Sequence, residues 1–383
     1  MSELENASLD SLTEYFEDLP DPRSAVNREH LLVDVIVIAI CAVIAGADSP
    51  TGNAAWAHSP SVAEWLRRHL ALPNGIPAKD TYRRVLQRLR PEAFQRCFES
   101  WLQSLLGLSE VRFLAIDGKT LRRSHDRSQN LGALHLVSVW ATEQKLTLAQ
   151  VATAEKSNEI TAIPQVLDLV DVTNAIVTID AMGCQRAIAE KIVDHGGDYV
   201  LPVKGNQDHL EQAVTEFFAD HLEDDFARVK VSRLETAETH HGRVEKRAYF
   251  QVNVPTNFPG AKRWKGLRTL GLVVRTREIN GVETDEIQCS ISSLKRNVKL
   301  FAKAARGHWG IENTCHWTLD MTFREDENRT RDRCVCENLA WLRRFALGLL
   351  KQHPNTKTSL AMKRRKAGWC VSFLSEVLFN STT

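Results

Sequence analysis

Between Val111 and Asn206 three short apolar runs rich in β-branched residues follow one another before any helix: "VRFLAID", "LHLVSVWAT" and "LTLAQVATA". Only then does the chain alternate. "NEITAIPQVLDLV" has a helical pattern, with Pro164 expected to kink it or to open its main body. "NAIVTID" is a strand, "CQRAIAEKIVDHG" a helix closed by Gly196, and "DYVLPVKGN" a further strand. Three leading strands followed by alternation imply a mixed sheet with helices packed on it, an α/β architecture.

The flanks have other patterns. From Val26 to about Leu108 the periodicity is helical, and "AKDTYRRVLQRLRPEAFQRCFESWLQSLL" places Tyr82, Val85, Leu86 and Leu89 on one face and Arg83, Arg84, Arg88 and Arg90 on the other. The most apolar stretch, Leu31–Ala47, contains Asp34, and its unbroken part from Val35 has 13 residues. That is short for a membrane span and suits a buried core helix. The segment before it is acidic, unlike a secretory signal. From about Gln207 to Leu294 the chain is β-rich after one acidic helix, with Asn280-Gly281 as a hairpin signal. Beyond Leu300 it is helical again and carries a basic "KRRK" run, Lys363–Lys366.

Charge sets a limit on function. A net charge of +1 and a pI near 7.7 exclude nucleic-acid binding by global charge alone, so any basic patch must be argued locally. The eight cysteines include no CxxC pair, and Cys334 and Cys336 form a lone C-x-C. Reduced thiols, mostly buried, fit a cytoplasmic protein.

Two strands share one ending. "FLAID" and "IVTID" each run apolar and stop at Ile-Asp, giving Asp117 and Asp180. If the strands are neighbours, both side chains reach one rim of the sheet. A strand-terminal aspartate alone often just caps a turn. A third carboxylate, Glu312 in "HWGIENTCHWTLD", lies on a helical pattern that puts Trp309 and His316 on its face; an exposed rim position would explain it equally. Three carboxylates suit hard cations such as magnesium, and two ions so held can clamp a phosphodiester. Cations recur beside each acid: Lys119, Arg122 and Arg123 after Asp117; Lys204 at the end of the fifth strand; Arg306 and His308 before Glu312; and Arg324, Arg329, Arg331 and Arg333 after it. Singly these would be ordinary solvated side chains.

"AIDGKTLRRS", "TIDAMGCQ" and "HWGIENTCHWTLDMTFRED" resemble the three catalytic blocks of the ISAs-type, H-repeat-associated insertion-sequence transposases, and "YFEDLPDPR" with "AICAVIAGADS" resembles the helical domain that precedes them. The resemblance runs from about Leu9 to His353. It implies a DDE recombinase with an RNase H-like sheet, in which Asp117, Asp180 and Glu312 are catalytic and bind Mg, with Mn able to substitute. It implies double-stranded DNA partners, both element ends and target, a homodimer or higher assembly on paired ends, and no membrane. The domains it suggests are an N-terminal helical, end-binding domain (1–108), the first part of the catalytic core (109–206), a β-rich insertion (207–298), the helical second part of the core (299–353), and a basic tail with a helix (354–383). DNA contacts are expected from Lys119, Arg122, Arg123, Lys204, Asn206, Arg306, His308, Trp309, Arg324, Arg329 and Arg331, and from His241 and Arg243 in "HHGRVEKR", a block similar to one in the family's insertion. One departure stands out. Where the wider clan carries Tyr, Arg and Lys around its glutamate, this chain has Ala305, His308 and Leu319, so phosphate contacts at those positions fall instead to His308, Arg306 and the arginines after Phe323.

Three other readings remain open from sequence. One is a decayed relative that binds DNA without cutting it. Another is an RNase H-like nuclease that hydrolyses without joining. The third is a zinc enzyme using His308, Cys315, His316 and the C-x-C, although no spacing there matches a zinc pattern.

Overall fold

A computed structural model of the protein describes residues 9–106, 112–153, 159–240, 243–279 and 282–379. Helices α1 (Leu9–Glu17), α2 (Leu32–Ile44), α3 (Pro50–Ala57), α4 (Pro60–His69), α5 (Lys79–Arg88) and α6 (Pro91–Leu106) come first. The long pattern from Ala78 is thus two helices, not one. Pro91 cannot continue a helix and disfavours helical geometry at Arg90, so α5 stops and α6 starts on the proline. Helix α2 is buried along almost its whole length, and its Asp34 is satisfied by the Leu72 amide at 3.0 Å. Among the described residues no helix is long and apolar enough to cross a membrane.

The sheet begins with β1 (Phe113–Leu121), β2 (Leu134–Ala141) and β3 (Leu146–Thr153). It continues through α7 (Glu159–Leu167), β4 (Ile176–Ile179), α8 (Arg186–Asp194) and β5 (Asp198–Pro202). Pro164 lies inside α7, which is one short helix and ends at Leu167. Helix α9 (Asp208–Glu223) leads to β6 (Val231–His240), β7 (Arg243–Asn253), β8 (Thr269–Ile279) and β9 (Val282–Ser292). The β8–β9 register closes on Ile279 opposite Val282, the spacing of a two-residue hairpin; Asn280 and Gly281 themselves lie outside the described residues.

The nine strands form one sheet in the order β3-β2-β1-β4-β5-β9-β8-β7-β6. β1, β2 and β3 pair antiparallel, β1, β4 and β5 parallel, and β9 joins β5 antiparallel. The β-rich stretch is therefore an extension of the same sheet. It covers the edge of β5, whose open backbone groups would otherwise invite foreign strands. β6–β9 then run on past the end of β5 toward the hairpin tips.

α10 (Val298–Gly310) lies across β1 and β4 and continues without a break through a π-turn, Ile311–His316, into α11 (Trp317–Met321). α12 (Arg333–Gln352), α13 (Leu360–Trp369) and α14 (Val371–Phe379) complete the fold. The N-terminal helices share one core with these last elements. Phe98 packs against Phe16 and Phe94 on one side and against Trp341 and Phe345 on the other, in the cluster that also takes Ile311, Leu319 and Leu374. Half of "KRRK" is structural: Lys363 caps the Leu350 and His353 carbonyls, and Arg364 reaches Asp48 and the Val43 carbonyl.

Candidate active site

β1 and β4 are adjacent and parallel, and their last paired residues are Ile116 and Ile179. Asp117 and Asp180 are the next residue on each strand, so they leave the ladder side by side, one interstrand spacing of about 4.8 Å apart along the backbone. Asp117 is not at the end of its strand as the sequence suggests. β1 continues to Leu121, because β2 goes on pairing after β4 has stopped.

Alternation decides which way each side chain faces. Leu114 and Ile116 pack into the core beneath α7 and α8, whereas Phe113 and Ala115 pack on the opposite face. Asp117 shares that opposite face, toward α10 and the π-turn. Its Oδ2 lies 3.3 Å from His316 Nδ1, and its Oδ1 accepts the Gly118 amide at 2.8 Å. Burial alone would raise its pKa, but the His316 hydrogen bond and charge hold it below the usual carboxylate value. Asp180 caps the short 3-10 turn Ala181–Gly183 by accepting the Gly183 amide at 3.0 Å. Its pKa is raised, by burial first and then by the charges of Glu159 and Asp117 against the Gly183 bond.

Glu312 opens the π-turn and is exposed, the rim position that sequence left open. Its carboxyl is nevertheless raised, by desolvation, then by Asp117, and also by Asp180. The three acids therefore sense one another, and among the described residues Asp117 alone of them has a histidine within salt-bridge distance. Their donor set is hard oxygen, and Asp180 and Glu312 both stay raised, Glu312 in spite of His316, which fits a divalent cation. Among the described residues, however, no three His, Cys, Asp or Glu side chains stand close enough to form a metal cage as arranged. This holds for His308, Cys315 and His316 as it does for the three carboxylates. All eight cysteines are free thiols, and most are buried.

The π-turn also gives a different partner to a residue that sequence periodicity placed with Glu312. At 3.6 residues per turn His316 stacks beneath Glu312, but a π-turn holds more residues and rotates the following side chains. His316 is consequently tucked inward against Asp117 while Glu312 stays in solvent, and its Nε2 is buried without a hydrogen-bond partner. A second such group lies on the other face of β1. Gly118 does not turn the chain. It sits within the strand, where a Cβ would collide with the His135 ring and the Glu159 carboxyl. These two buried groups face each other at 3.4 Å.

The expected phosphate contacts divide. Lys119, only 7% exposed, faces the same way as Asp117 and binds Asp320 at 2.6 Å and Asp326 at 3.5 Å. It ties β1 to the end of the α11 segment and does not face outward. His308 also points inward, with Nδ1 3.2 Å from the Thr178 hydroxyl, and burial lowers its pKa. Asn206 braces the Asp180 turn through the Ala181 carbonyl at 2.7 Å. Trp309 is partly covered by Arg275, whose guanidinium sits over its ring. Arg306 pairs with Glu238 at 2.9 Å, Arg324 with Glu327, and Arg122, although 80% exposed, with Asp326 at 3.2 Å. Arg123, Lys204, Arg329 and Arg331 are exposed and form no salt bridge among the described residues. His241 and the side chain of Arg243 lie outside the described residues.

Behind the site is a buried ionic knot. Glu325 accepts from Arg344 Nη1 at 3.1 Å and lies 3.8 Å from Arg343. Burial would raise its pKa, but Arg344, Arg343, Lys119 and His316 hold it low. No sequence period marks this pairing, since it joins a turn to the middle of α12.

Residues 109–349 match the family described as "Transposase DDE domain", and residues 13–102 match a second, described as "DDE_Tnp_1-associated". The "Putative transposase YncI" of Escherichia coli O157:H7 is 38% identical over 375 residues, covering 97% of this chain and 95% of its own. The "H repeat-associated putative transposase YhhI" of Escherichia coli K12 is 36% identical over 386 residues, covering 97% and 99%. An "Uncharacterized protein in dhlA 3'region" from Xanthobacter autotrophicus is 42% identical over 284 residues, covering 73% and 93%.

Proposed function

The chain belongs to the Transposase DDE domain family, and on that premise we propose that it binds the ends of an insertion sequence in duplex DNA and catalyses their cleavage and transfer to a target. Asp117, Asp180 and Glu312 are the catalytic acids. The observation that carries this reading is the pair of parallel strands that release Asp117 and Asp180 in register, with Glu312's charge state coupled to both. The sheet order β3-β2-β1-β4-β5, antiparallel and then parallel, supports an RNase H-like core.

Divalent metal, Mg or Mn, held by the three carboxylates would supply Lewis-acid activation of the attacking oxygen and stabilisation of the leaving one. The chain's own residues have separate tasks. His316 orients Asp117 and keeps it ionised. The Gly183 amide and Asn206 fix the turn that aims Asp180. Arg123, Lys204 and Arg329, with Arg331 whose charge also acts on Asp126, form no salt bridge among the described residues and hold the DNA backbone, which makes binding strongly salt-dependent. Water is the nucleophile in cleavage and the freed 3′-hydroxyl in joining. The N-terminal helices contribute to end recognition, and a homodimer or higher assembly holds paired ends.

The test is nicking of a duplex carrying the element's end, with and without Mg, by the wild-type chain and by Asp117→Asn. Metal-dependent nicking and joined products on a target plasmid are expected from the wild type, and neither from the variant. Nicking without joining would leave a nuclease. Binding without nicking would leave a DNA-binding relic.

A further inference from the structure

The opposite rim of the sheet carries a cleft of about 850 Å³ with no carboxylate in its lining. It forms where β7 ends at Asn253, β8 begins at Thr269 and β9 ends at Ser292, which is the rim away from Asp180. Lys262, Arg268, Lys295 and Arg296 line it. None of the four forms a salt bridge among the described residues. Four uncompensated cations in one cleft repel one another, so the arrangement suits a multivalent anion.

The loop that presents them is built, not slack. Trp264 is buried in the sheet core and anchors residues 259–268. Gly266 has φ +71 and approaches Val193 of α8, where a side chain would be strained. The Arg268 amide donates to the Ser292 carbonyl and its own carbonyl accepts from Val254, both at 2.9 Å. Arg296 donates to the Lys230 carbonyl at 2.5 Å, which fixes the guanidinium with further donors free.

A second cavity lies next to the cleft, on the side of the catalytic rim. This cavity, of about 340 Å³, is lined by Arg186, Asn206 and Arg263 together with one acid, Asp208, and the buried Trp264 stands between it and the cleft. Asn206 is the residue that braces the Asp180 turn. Helix α8, nine residues or about 13 Å long, runs between the two, from Arg186, six residues after Asp180, to Val193 beside Gly266.

We propose that this basic cleft, Lys262, Arg268, Lys295 and Arg296, is a second phosphate-binding surface that holds the backbone of duplex DNA leaving the catalytic rim past Asn206 and Arg263. The inference rests on the proposed DNA substrate. A duplex presents phosphates every few ångströms along a path, which a single small anion cannot do, and the arginines and lysines of the two adjacent cavities follow one another along such a path.

The test measures binding of a long end-containing duplex against salt concentration, using the full chain and the variant K262Q/R268Q/K295Q. These side chains are exposed and unpaired, so the variant is expected to unfold at the same temperature as the wild type. Each lost phosphate contact lowers the slope of log K against log salt by about 0.9, so three lost contacts lower it by about 2.7. A duplex that stops at the cut site is expected to show no difference between the two proteins. An unchanged slope on the long duplex, with salt-dependent binding intact, would overturn the cleft and leave the proposed function standing. No salt-dependent DNA binding by the wild type would overturn both.

Discussion

The two rims of the sheet handle charge in opposite ways. At the Asp180 rim, acids and bases are interlocked: His316 on Asp117, Lys119 between Asp320 and Asp326, Glu325 between two arginines. At the other rim Lys265 pairs with Asp194 and Glu190, but Lys262, Arg268, Lys295 and Arg296 form no salt bridge among the described residues, and Arg296 is held by the Lys230 carbonyl. Interlocked charges resist displacement and fix geometry, which chemistry requires. Unpaired cations exchange partners at little cost, which suits holding a ligand that must also slide and leave.

That contrast can be broken by substitution, and the largest effect is expected among the acids. Asp117→Asn or Asp180→Asn should lower metal-dependent nicking about 10³-fold, because several kcal/mol of transition-state stabilisation is lost at about 1.4 kcal/mol per decade. Gel-shift affinity for the DNA end should persist. Comparable affinity with undiminished nicking would remove both residues from the chemistry. Next is the ionic knot. Glu325→Gln strands Arg343 and Arg344 in the core, and urea unfolding should show a loss of about 3–5 kcal/mol.

His316→Ala should act through Asp117 and lower the nicking rate about 10–100-fold, the range for groups that orient a ligand. Its pH–rate profile should shift while DNA affinity stays the same; a change in affinity alone would mean that His316 touches DNA. Acid titration separates the rims further. Glu325 is held below its unfolded pKa of about 4.3. Its contribution to stability is therefore full above that value and lost as pH falls through the folded pKa. The wild type should lose stability in that window more steeply than Glu325→Gln. The smallest effect belongs to the basic rim, where K262Q/R268Q/K295Q should change unfolding free energy by no more than about 0.5 kcal/mol. A larger loss would show that the cleft is as interlocked as the site.

Local pattern made much of this visible. β-branched runs gave the first five strands in their order, and the shared Ile-Asp ending pointed to two neighbouring acids. What stayed hidden depends on long-range or irregular geometry. The β5–β9 pairing joins Val200 to Ser292, and nothing local in either segment announces it. The π-turn adds residues to a turn, so a 3.6-residue period aligned His316 with Glu312 when it belongs with Asp117. The inward face of Lys119 was legible by alternation from Phe113, Ala115 and Asp117, but a lysine followed by two arginines reads as surface. The basic cleft draws its cations from two loops on either side of a hairpin, too far apart to form a run.

The joint core of the N-terminal and C-terminal helices has a consequence for timing. Phe98 leaves the ribosome more than two hundred residues before Trp341 and Phe345, its ring partners. At about 5–20 residues per second that wait is roughly 10–50 s. Throughout it the first helices have an unfinished apolar face, while the sheet in between can already pair. Synthesis order thus keeps the N-terminal helices from settling until the Glu312 segment and α12 exist, so a nascent chain cannot present finished helices without a finished site.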